Sequence, residues 1–174
     1  MKKKVQEISV LIATSVWLHK HDWTITHLSI AKGQNINLLE DKLILKDNLH
    51  QTGIKYDTIN FQSNGADIIA IKQNITWKIE CKGFSNSAES TNRNNFDRAL
   101  SSTVTYFDNE STQLGISLPI YYKKDVYKRV SKSLRQAINL SIFYYDPNYN
   151  EIEHIAPFDD LDDPSDDWRL TIPF

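Results

Sequence analysis

Residues 65–83 read GADIIAIKQNITWKIECKG, and the fold of the chain is best approached from this stretch. Two runs rich in isoleucine, residues 66–72 and 75–82, flank Gln73-Asn74. Short apolar runs on either side of a polar pair are typical of two strands joined by a tight turn. The stretch therefore predicts a β-hairpin.

The length of the turn determines which residues of this hairpin face each other. A two-residue turn pairs Lys72 with Ile75, and the same register places Asp67 directly opposite Glu80. A four-residue loop with the same centre keeps that register. Side chains alternate between the two faces of a strand, so Lys82 shares a face with Glu80. We therefore expect two carboxylates and one ammonium group to lie together.

Such a group of side chains is suited to metal-dependent chemistry. Side chains opposite each other on paired strands have Cβ atoms about 4.5–5.5 Å apart, and two carboxylates this close repel each other unless a cation lies between them. Hard oxygen ligands with open positions suit Mg²⁺ or Mn²⁺, which can activate water and neutralise charge on a phosphate. The pattern predicts that Asp67 and Glu80 bind the metal and that Lys82 orients the water or stabilises the transition state. The alternatives are a chance arrangement and a degenerate site that has kept only the fold.

The rest of the chain is interpreted from its hydrophobic periodicity. Apolar residues at helical spacing predict helices, and short apolar runs between turn signals predict strands. The expected helices cover residues 4–19, 36–50, 96–107 and 124–138. The expected strands, besides the hairpin, cover residues 24–30, 56–62, 113–119, 140–145 and 152–155, and the polar residues 85–95 predict a loop. This order predicts an α/β fold with a mixed central β-sheet flanked by helices.

Composition is that of an ordinary soluble globular protein. Its 174 residues suit one domain, with 40% hydrophobic and 24% charged residues. The lysines at the start imitate a secretory signal, but Glu7 interrupts the pattern and no cleavage site follows. No stretch approaches the roughly 20 apolar residues of a membrane-spanning helix. Cys81 is the only cysteine, which fits a reducing cytoplasm, and its alternation with Ile79 predicts a packing role.

Charge is distributed unevenly along the chain. The net charge is −2, yet residues 159–174 contain six aspartates and one arginine, which leaves residues 1–158 with a net charge of +3. We therefore expect one domain over residues 1–158 and an acidic C-terminal tail with an apolar end. The tail could be solvated, could shield a basic face, or could dock on a protein partner or a second copy.

Basic residues cluster along the expected helix 124–138. They are Lys123, Lys124, Lys128, Arg129, Lys132 and Arg135. Such a face could contact phosphates and hold nucleic acid near the metal, or it could be the solvated side of an amphipathic helix. Arg93 and Arg98, which follow the hairpin, could also reach phosphate, although Arg98 could equally pair with Asp97.

Asp67, twelve intervening residues and then Glu80-Cys81-Lys82 resemble the motif of the PD-(D/E)XK nuclease superfamily. The order of elements over about residues 4–145 is also similar to that of the superfamily. It consists of a helix with an acid, a hairpin carrying acids, a helix and a strand. Residues 79–83 and 95–100 are similar to segments of small bacterial proteins. The chain departs from the superfamily pattern in two places. Ala66 stands where the superfamily often has proline, and the segment 33–55 is longer than compact members need.

The resemblance implies a restriction-endonuclease-like fold in which two acids bind Mg²⁺ and the lysine assists hydrolysis. By direct match these residues are Asp67, Glu80 and Lys82, and Glu7 is similar to an acid that many members carry on the first helix and use as a further metal ligand. The implied activity is Mg²⁺-dependent cleavage of DNA, by a dimer or by a subunit of a larger defence or repair complex. RNA as substrate and a non-catalytic binding module are the alternatives.

Overall fold

The computed structural model of the protein describes residues 4–30, 38–62, 65–86, 89–109 and 111–170. The helices are α1 (Glu7–Lys20), α2 (Leu38–Gln51), α3 (Glu89–Thr105), α4 (Lys123–Arg129) and α5 (Lys132–Ala137). The strands are β1 (Thr24–Ser29), β2 (Asn60–Gln62), β3 (Ile68–Lys72), β4 (Ile75–Cys81), β5 (Thr112–Pro119), β6 (Leu140–Asp146) and β7 (Glu151–Ile155). None of the described helices has the length and apolar character needed to cross a membrane.

These strands form one mixed sheet in the order β2-β1-β3-β4-β5-β6-β7. β3 is antiparallel to both β1 and β4, whereas β5 is parallel to both β4 and β6. β2 lies parallel to β1 at one edge, and β7 lies antiparallel to β6 at the other. Parallel neighbours need crossover connections. α2 lies between β1 and β2, α3 between β4 and β5, and the pair α4 and α5 between β5 and β6. The expected α/β fold with a mixed central sheet and flanking helices is confirmed.

Helices pack on both faces of β4, which is the central strand. On one face, Trp17 of α1 packs edge-on against Phe143 with ring centroids 5.2 Å apart, and Phe143 packs against Trp77 of β4 at 5.1 Å. On the other face, Lys78 of β4 bonds to Asp108, which lies just beyond α3, at 2.6 Å. The alternation predicted for this strand is therefore present, and each face meets a different helix.

The hairpin of β3 and β4 has the register that the sequence predicts. Pairing runs from Lys72 with Ile75 to Ile68 with Ile79. Gln73, in the turn, has a φ of 54°, a left-handed conformation that tight hairpin turns require. Asp67 directly precedes Ile68, and Glu80 directly follows Ile79 in β4, so the two predicted acids lie just beyond the last of these pairs.

The start of α1 is anchored at the end of β4. Val5 and Phe84 form an isolated antiparallel bridge, with distances of 2.9 and 2.8 Å from backbone nitrogen to carbonyl oxygen. Gly83 makes this close approach possible, because a Cβ there would lie 2.5 Å from the carbonyl oxygen of Val5 and 2.8 Å from the backbone nitrogen of Glu7. The bridge thereby brings the first turn of α1 to the hairpin.

Ion pairs dock the C-terminal segment on the domain. Lys123 is 7% exposed and donates to Glu153 and to Asp167, and Arg169 donates to the same two acids at 2.7 Å each. The fully buried Arg135 donates to the backbone carbonyls of Ala156 and Asp159, where the segment begins. Residues 159–170 are therefore packed against the chain's own domain.

This docking bears on the interpretations of the acidic tail. Asp160 also pairs with a base of the domain, Lys132, at 2.8 Å, and Leu170 packs against the hydrophobic core. Both contacts are with residues of the same chain. Ile172 and Phe174 of the predicted apolar end lie outside the described residues.

The prediction of one helix over residues 124–138 is wrong. α4 ends at Arg129, Val130 leaves the helical conformation with a ψ of 88°, and α5 begins after Ser131. The Ser131 hydroxyl accepts a hydrogen bond from the backbone N–H of Leu134 at 3.2 Å, so it caps the second helix. A serine that can cap competes with continuation of the first helix.

Two other expected boundaries differ, and so does one expectation of burial. α3 begins at Glu89, so part of the expected loop over residues 85–95 is the polar first half of a helix. Residues 56–58 form a 3₁₀ helix and only residues 60–62 form a strand. Val104 and Phe107, expected on the buried stripe of α3, are 44% and 50% exposed. The boundary of α3 was missed because polar residues indicate only that a segment is exposed, and an exposed segment can be either a helix or a loop.

We predict that Gly83→Ala destabilises the protein by about 1–3 kcal/mol, the usual cost of forcing an extra carbon into a packed site. The added Cβ would collide with backbone atoms of Val5 and Glu7, which cannot rotate away. Urea unfolding measures the effect, with Ser101→Ala at an exposed position of α3 as the control. Equal unfolding midpoints for Gly83→Ala and wild type would contradict the prediction.

Candidate functional site

Three carboxylates surround the ammonium group of Lys82. Its Nζ atom lies 2.9 Å from Glu80 Oε1, 3.5 Å from Glu7 Oε2 and 3.9 Å from Asp67 Oδ2. Asp67 and Glu80 are each 6% exposed, whereas 19% of the Lys82 side chain and 31% of the Glu7 side chain are exposed. The structure thus brings together all the residues predicted to be catalytic or metal-binding. We call these four residues the acidic cluster.

Asp67 is held in place by backbone groups on both sides. Its Oδ2 atom accepts a hydrogen bond from the backbone N–H of Cys81 at 2.7 Å, and its backbone carbonyl accepts one from Ser29 at 2.8 Å. The first bond ties Asp67 to the strand that carries the other hairpin residues of the cluster. The Cys81 side chain itself is fully buried, which agrees with the packing role predicted for it.

Glu80 is held by two donors, one of which the sequence did not reveal. Its Oε1 faces Lys82, and its Oε2 accepts a hydrogen bond from the hydroxyl of Tyr106 at 2.7 Å. The same hydroxyl lies 3.2 Å from the carbonyl oxygen of Gly65. Tyr106 directly follows α3, which carries the chain back across the sheet to the hairpin. No local spacing connects residues this far apart, so only the fold identifies Tyr106 as part of the site.

Burial and mutual repulsion alter the protonation of the cluster. Desolvation, followed by the negative charge of Glu80, raises the pKa of Asp67 to about 8. Desolvation also raises the pKa of Glu7, against the opposing charge of Lys82. For Lys82, burial acts to lower the pKa, but the three carboxylates outweigh it and raise the pKa. Lys82 therefore stays an ammonium ion, and one ammonium cannot balance three carboxylates.

The donor set fits a hard divalent cation. Glu7, Asp67 and Glu80 offer carboxylate oxygens, which Mg²⁺ and Mn²⁺ prefer, and a divalent ion together with Lys82 would balance the three charges. In the part of the chain that the structure describes, no three His, Cys, Asp or Glu side chains are already arranged to hold a metal. Lys82 lies between the carboxylates instead, so a cation bound by Glu80 would have to displace its ammonium group.

A basic cleft of about 740 Å³ begins at Phe84, close in sequence to Lys82 of the acidic cluster. Its wall includes Phe84, two residues beyond the lysine of the cluster, and the basic side chains of Arg93, Lys124, Lys128 and Arg129. Arg93 comes from α3 and the other three from α4, so the crossover helices bring bases from distant parts of the sequence together. Four of the six predicted nucleic-acid contacts therefore share one surface.

The remaining predicted contacts lie elsewhere. Lys132 pairs with Asp160, and Arg98 is exposed on α3 but does not line the basic cleft. Lys123 and Arg135, which the helical pattern assigned to the same basic face, are buried against the C-terminal segment. Their placement on an exposed basic surface was wrong, because the chain from Ala156 onward covers both bases.

No protein-family model, curated protein or solved structure matches the chain. What the site can do is therefore argued from its own residues and from the motif that they form.

The raised pKa of Asp67 gives a testable dependence of stability on pH. A carboxyl group with a folded pKa of about 8 keeps its proton at pH values where the unfolded chain, with a pKa of 3.8, has released it. The folded state then binds more protons, so Asp67 makes the free energy of unfolding fall as pH rises from about 4 to about 8. Without divalent metal, we expect Asp67→Asn to be more stable than wild type at pH 8 and to gain less at pH 5.

Urea unfolding in the presence of a chelator, repeated across this pH range, measures the difference. Asp57→Asn is the matched control, because Asp57 is exposed. Parallel pH profiles for wild type and Asp67→Asn would show that the carboxyl of Asp67 ionises in the folded state as it does in the unfolded chain.

Proposed function

We propose that the protein is a Mg²⁺-dependent endonuclease that hydrolyses phosphodiester bonds in DNA, and that it has a restriction-endonuclease-like fold. The observation that carries the proposal is the position of Asp67, Glu80 and Glu7 within 3.9 Å of the Lys82 ammonium nitrogen. Clusters of buried titratable groups with a strongly shifted pKa are more frequent at functional sites than elsewhere.

Asp67 and Glu80 would hold the metal, with Glu7 as a further ligand. A bound cation would supply positive charge that activates a water and stabilises charge on the scissile phosphate. The backbone bond from Cys81 to Asp67 and the hydroxyl bond from Tyr106 to Glu80 fix one oxygen of each ligand. Each carboxylate is therefore oriented before the substrate arrives, which avoids reorganisation during the reaction.

Lys82 would act as a hydrogen-bond donor and as a positive charge. Its raised pKa keeps it protonated at neutral pH, so it is not a proton acceptor. An ammonium group has three N–H donors, and the Lys82 nitrogen lies 3.0 Å from the carbonyl oxygen of Cys81. Once a metal has displaced Lys82 from Glu80, a donor is released that can point to an attacking water or to a phosphate oxygen.

The order of elements supports the resemblance to the PD-(D/E)XK superfamily. Helix α1 carries Glu7, the β3–β4 hairpin carries the two acids and the lysine, and then α3 and β5 follow. This is the order of helix, acidic hairpin, helix and strand that the motif implies. DNA as the substrate follows from the resemblance together with the basic cleft, whose bases can contact phosphates regardless of sequence.

Cleavage of plasmid and linear DNA with Mg²⁺, with Mn²⁺ and with a chelator tests the proposal. Wild type should cleave only with a divalent cation. Asp67→Ala and Lys82→Ala should each lower the rate by about 100-fold or more, as expected when a group that stabilises the transition state is removed. Lys72→Ala should retain the activity, since Lys72 is a half-exposed lysine at the other end of the same hairpin. Labelled RNA incubated alongside distinguishes the two nucleic acids.

A non-catalytic binding module is the second candidate, and one observation favours it. Lys82 already pairs with all three carboxylates, so the cluster is partly satisfied without a metal. Absence of cleavage, together with no heat of Mn²⁺ binding in a calorimetric titration of wild type, would support the module over the enzyme.

A further inference from the structure

The basic cleft has the dimensions of a site for one or two nucleotides. Its volume of about 740 Å³ lies within the range of about 300–1,000 Å³ that is usual for small-molecule sites. Bases inside a duplex are stacked on their neighbours, whereas an unpaired nucleotide can place its base against the wall of such a cleft.

Phe84 lines the cleft, and its ring is held in place by aromatic neighbours. Its ring packs against Tyr121 at 5.1 Å and against Tyr122 at 5.3 Å, edge to face in both cases. Its backbone is fixed by the two hydrogen bonds to Val5. Nucleobases stack on aromatic side chains of this kind without regard to sequence.

Amide groups fix the loop beyond Phe84 and add polar contacts. Asn92 is 6% exposed and bonds both the N–H and the carbonyl of Ser85 at 2.9 Å. Asn86, which follows Ser85, is exposed and lines the cleft. A side-chain amide can both donate and accept hydrogen bonds, as the edge of an unpaired base requires.

The charge of the cleft suits a phosphate backbone. Its described lining carries four bases against two acids, namely Arg93, Lys124, Lys128 and Arg129 against Glu89 and Asp125. Arg129 is oriented by an ion pair with Asp97 and lies 5.1 Å from the ring centre of Phe96. A basic groove combined with an aromatic face is the usual combination in proteins that bind single strands.

We propose that the basic cleft binds unpaired nucleotides, so that the protein engages single-stranded ends or overhangs of DNA in preference to blunt duplex. The inference rests on the proposed nuclease function, because the cleft begins two residues beyond Lys82 and would place the bound strand next to the acidic cluster.

Fluorescence anisotropy in the presence of a chelator tests the proposal without any need for cleavage. The probes are a blunt duplex and the same duplex with a single-stranded overhang. Wild type should bind the overhang more tightly. Phe84→Leu should weaken binding of the overhang by about 5- to 100-fold, through the loss of stacking, and leave the blunt duplex unchanged. Lys128→Ala should weaken both and reduce the salt dependence by about one counterion.

Lys55→Ala is the matched control, since Lys55 is exposed near β2 at the far edge of the sheet. Thermal unfolding checks that each variant folds. If Phe84→Leu does not fold, Asn86→Ala at an exposed cleft position replaces it, with the same expected loss of preference for the overhang.

The outcomes separate the two proposals. Equal affinity of wild type for the two probes, or an unchanged preference in Phe84→Leu, overturns the inference about the cleft even if the protein cleaves DNA. A preference for the overhang that Phe84→Leu abolishes supports the inference, and if wild type then fails to cleave with Mg²⁺ or Mn²⁺, the nuclease proposal alone is overturned.

Discussion

A two-residue turn joins β3 to β4, and the pairing that it imposes forces two carboxylates into one buried space. Side chains alternate along a strand, so a slip of one residue would move the hairpin's entire set of side chains to the opposite face. The buried isoleucines on both strands prevent that slip, because they would then face away from the core. The same apolar packing that stabilises the hairpin therefore holds the two acids against each other.

Burying like charges destabilises the folded chain unless other groups compensate. Here the compensation comes from the Cys81 backbone N–H, the Tyr106 hydroxyl and the Lys82 ammonium, and the pKa of Asp67 nevertheless rises to about 8. A site that stores unfavourable electrostatics in this way is better explained by a function than by stability, since apolar residues in the same place would pack without this cost.

The hairpin could be predicted from the sequence because its turn, its period of two and its apolar faces are all local signals. Glu7 was placed on a helix correctly, yet its approach to Lys82 depends on the bridge between Val5 and Phe84, which joins distant parts of the chain. Tyr106 was missed for the same reason. The prediction of one basic helix over residues 124–138 failed for a different reason. Ser131 caps a second helix and so divides the segment, and the tail covers bases that the helical pattern places in solvent.

The most direct measurement is anomalous diffraction from crystals of the protein soaked in Mn²⁺. If the buried carboxylates form a metal site, an anomalous peak lies within about 2–2.5 Å of oxygens of Asp67 and Glu80, and the Lys82 ammonium has moved away from Glu80. A map without a peak at saturating Mn²⁺, with Lys82 still 2.9 Å from Glu80, would contradict the account and leave the cluster as a structural ion-pair network.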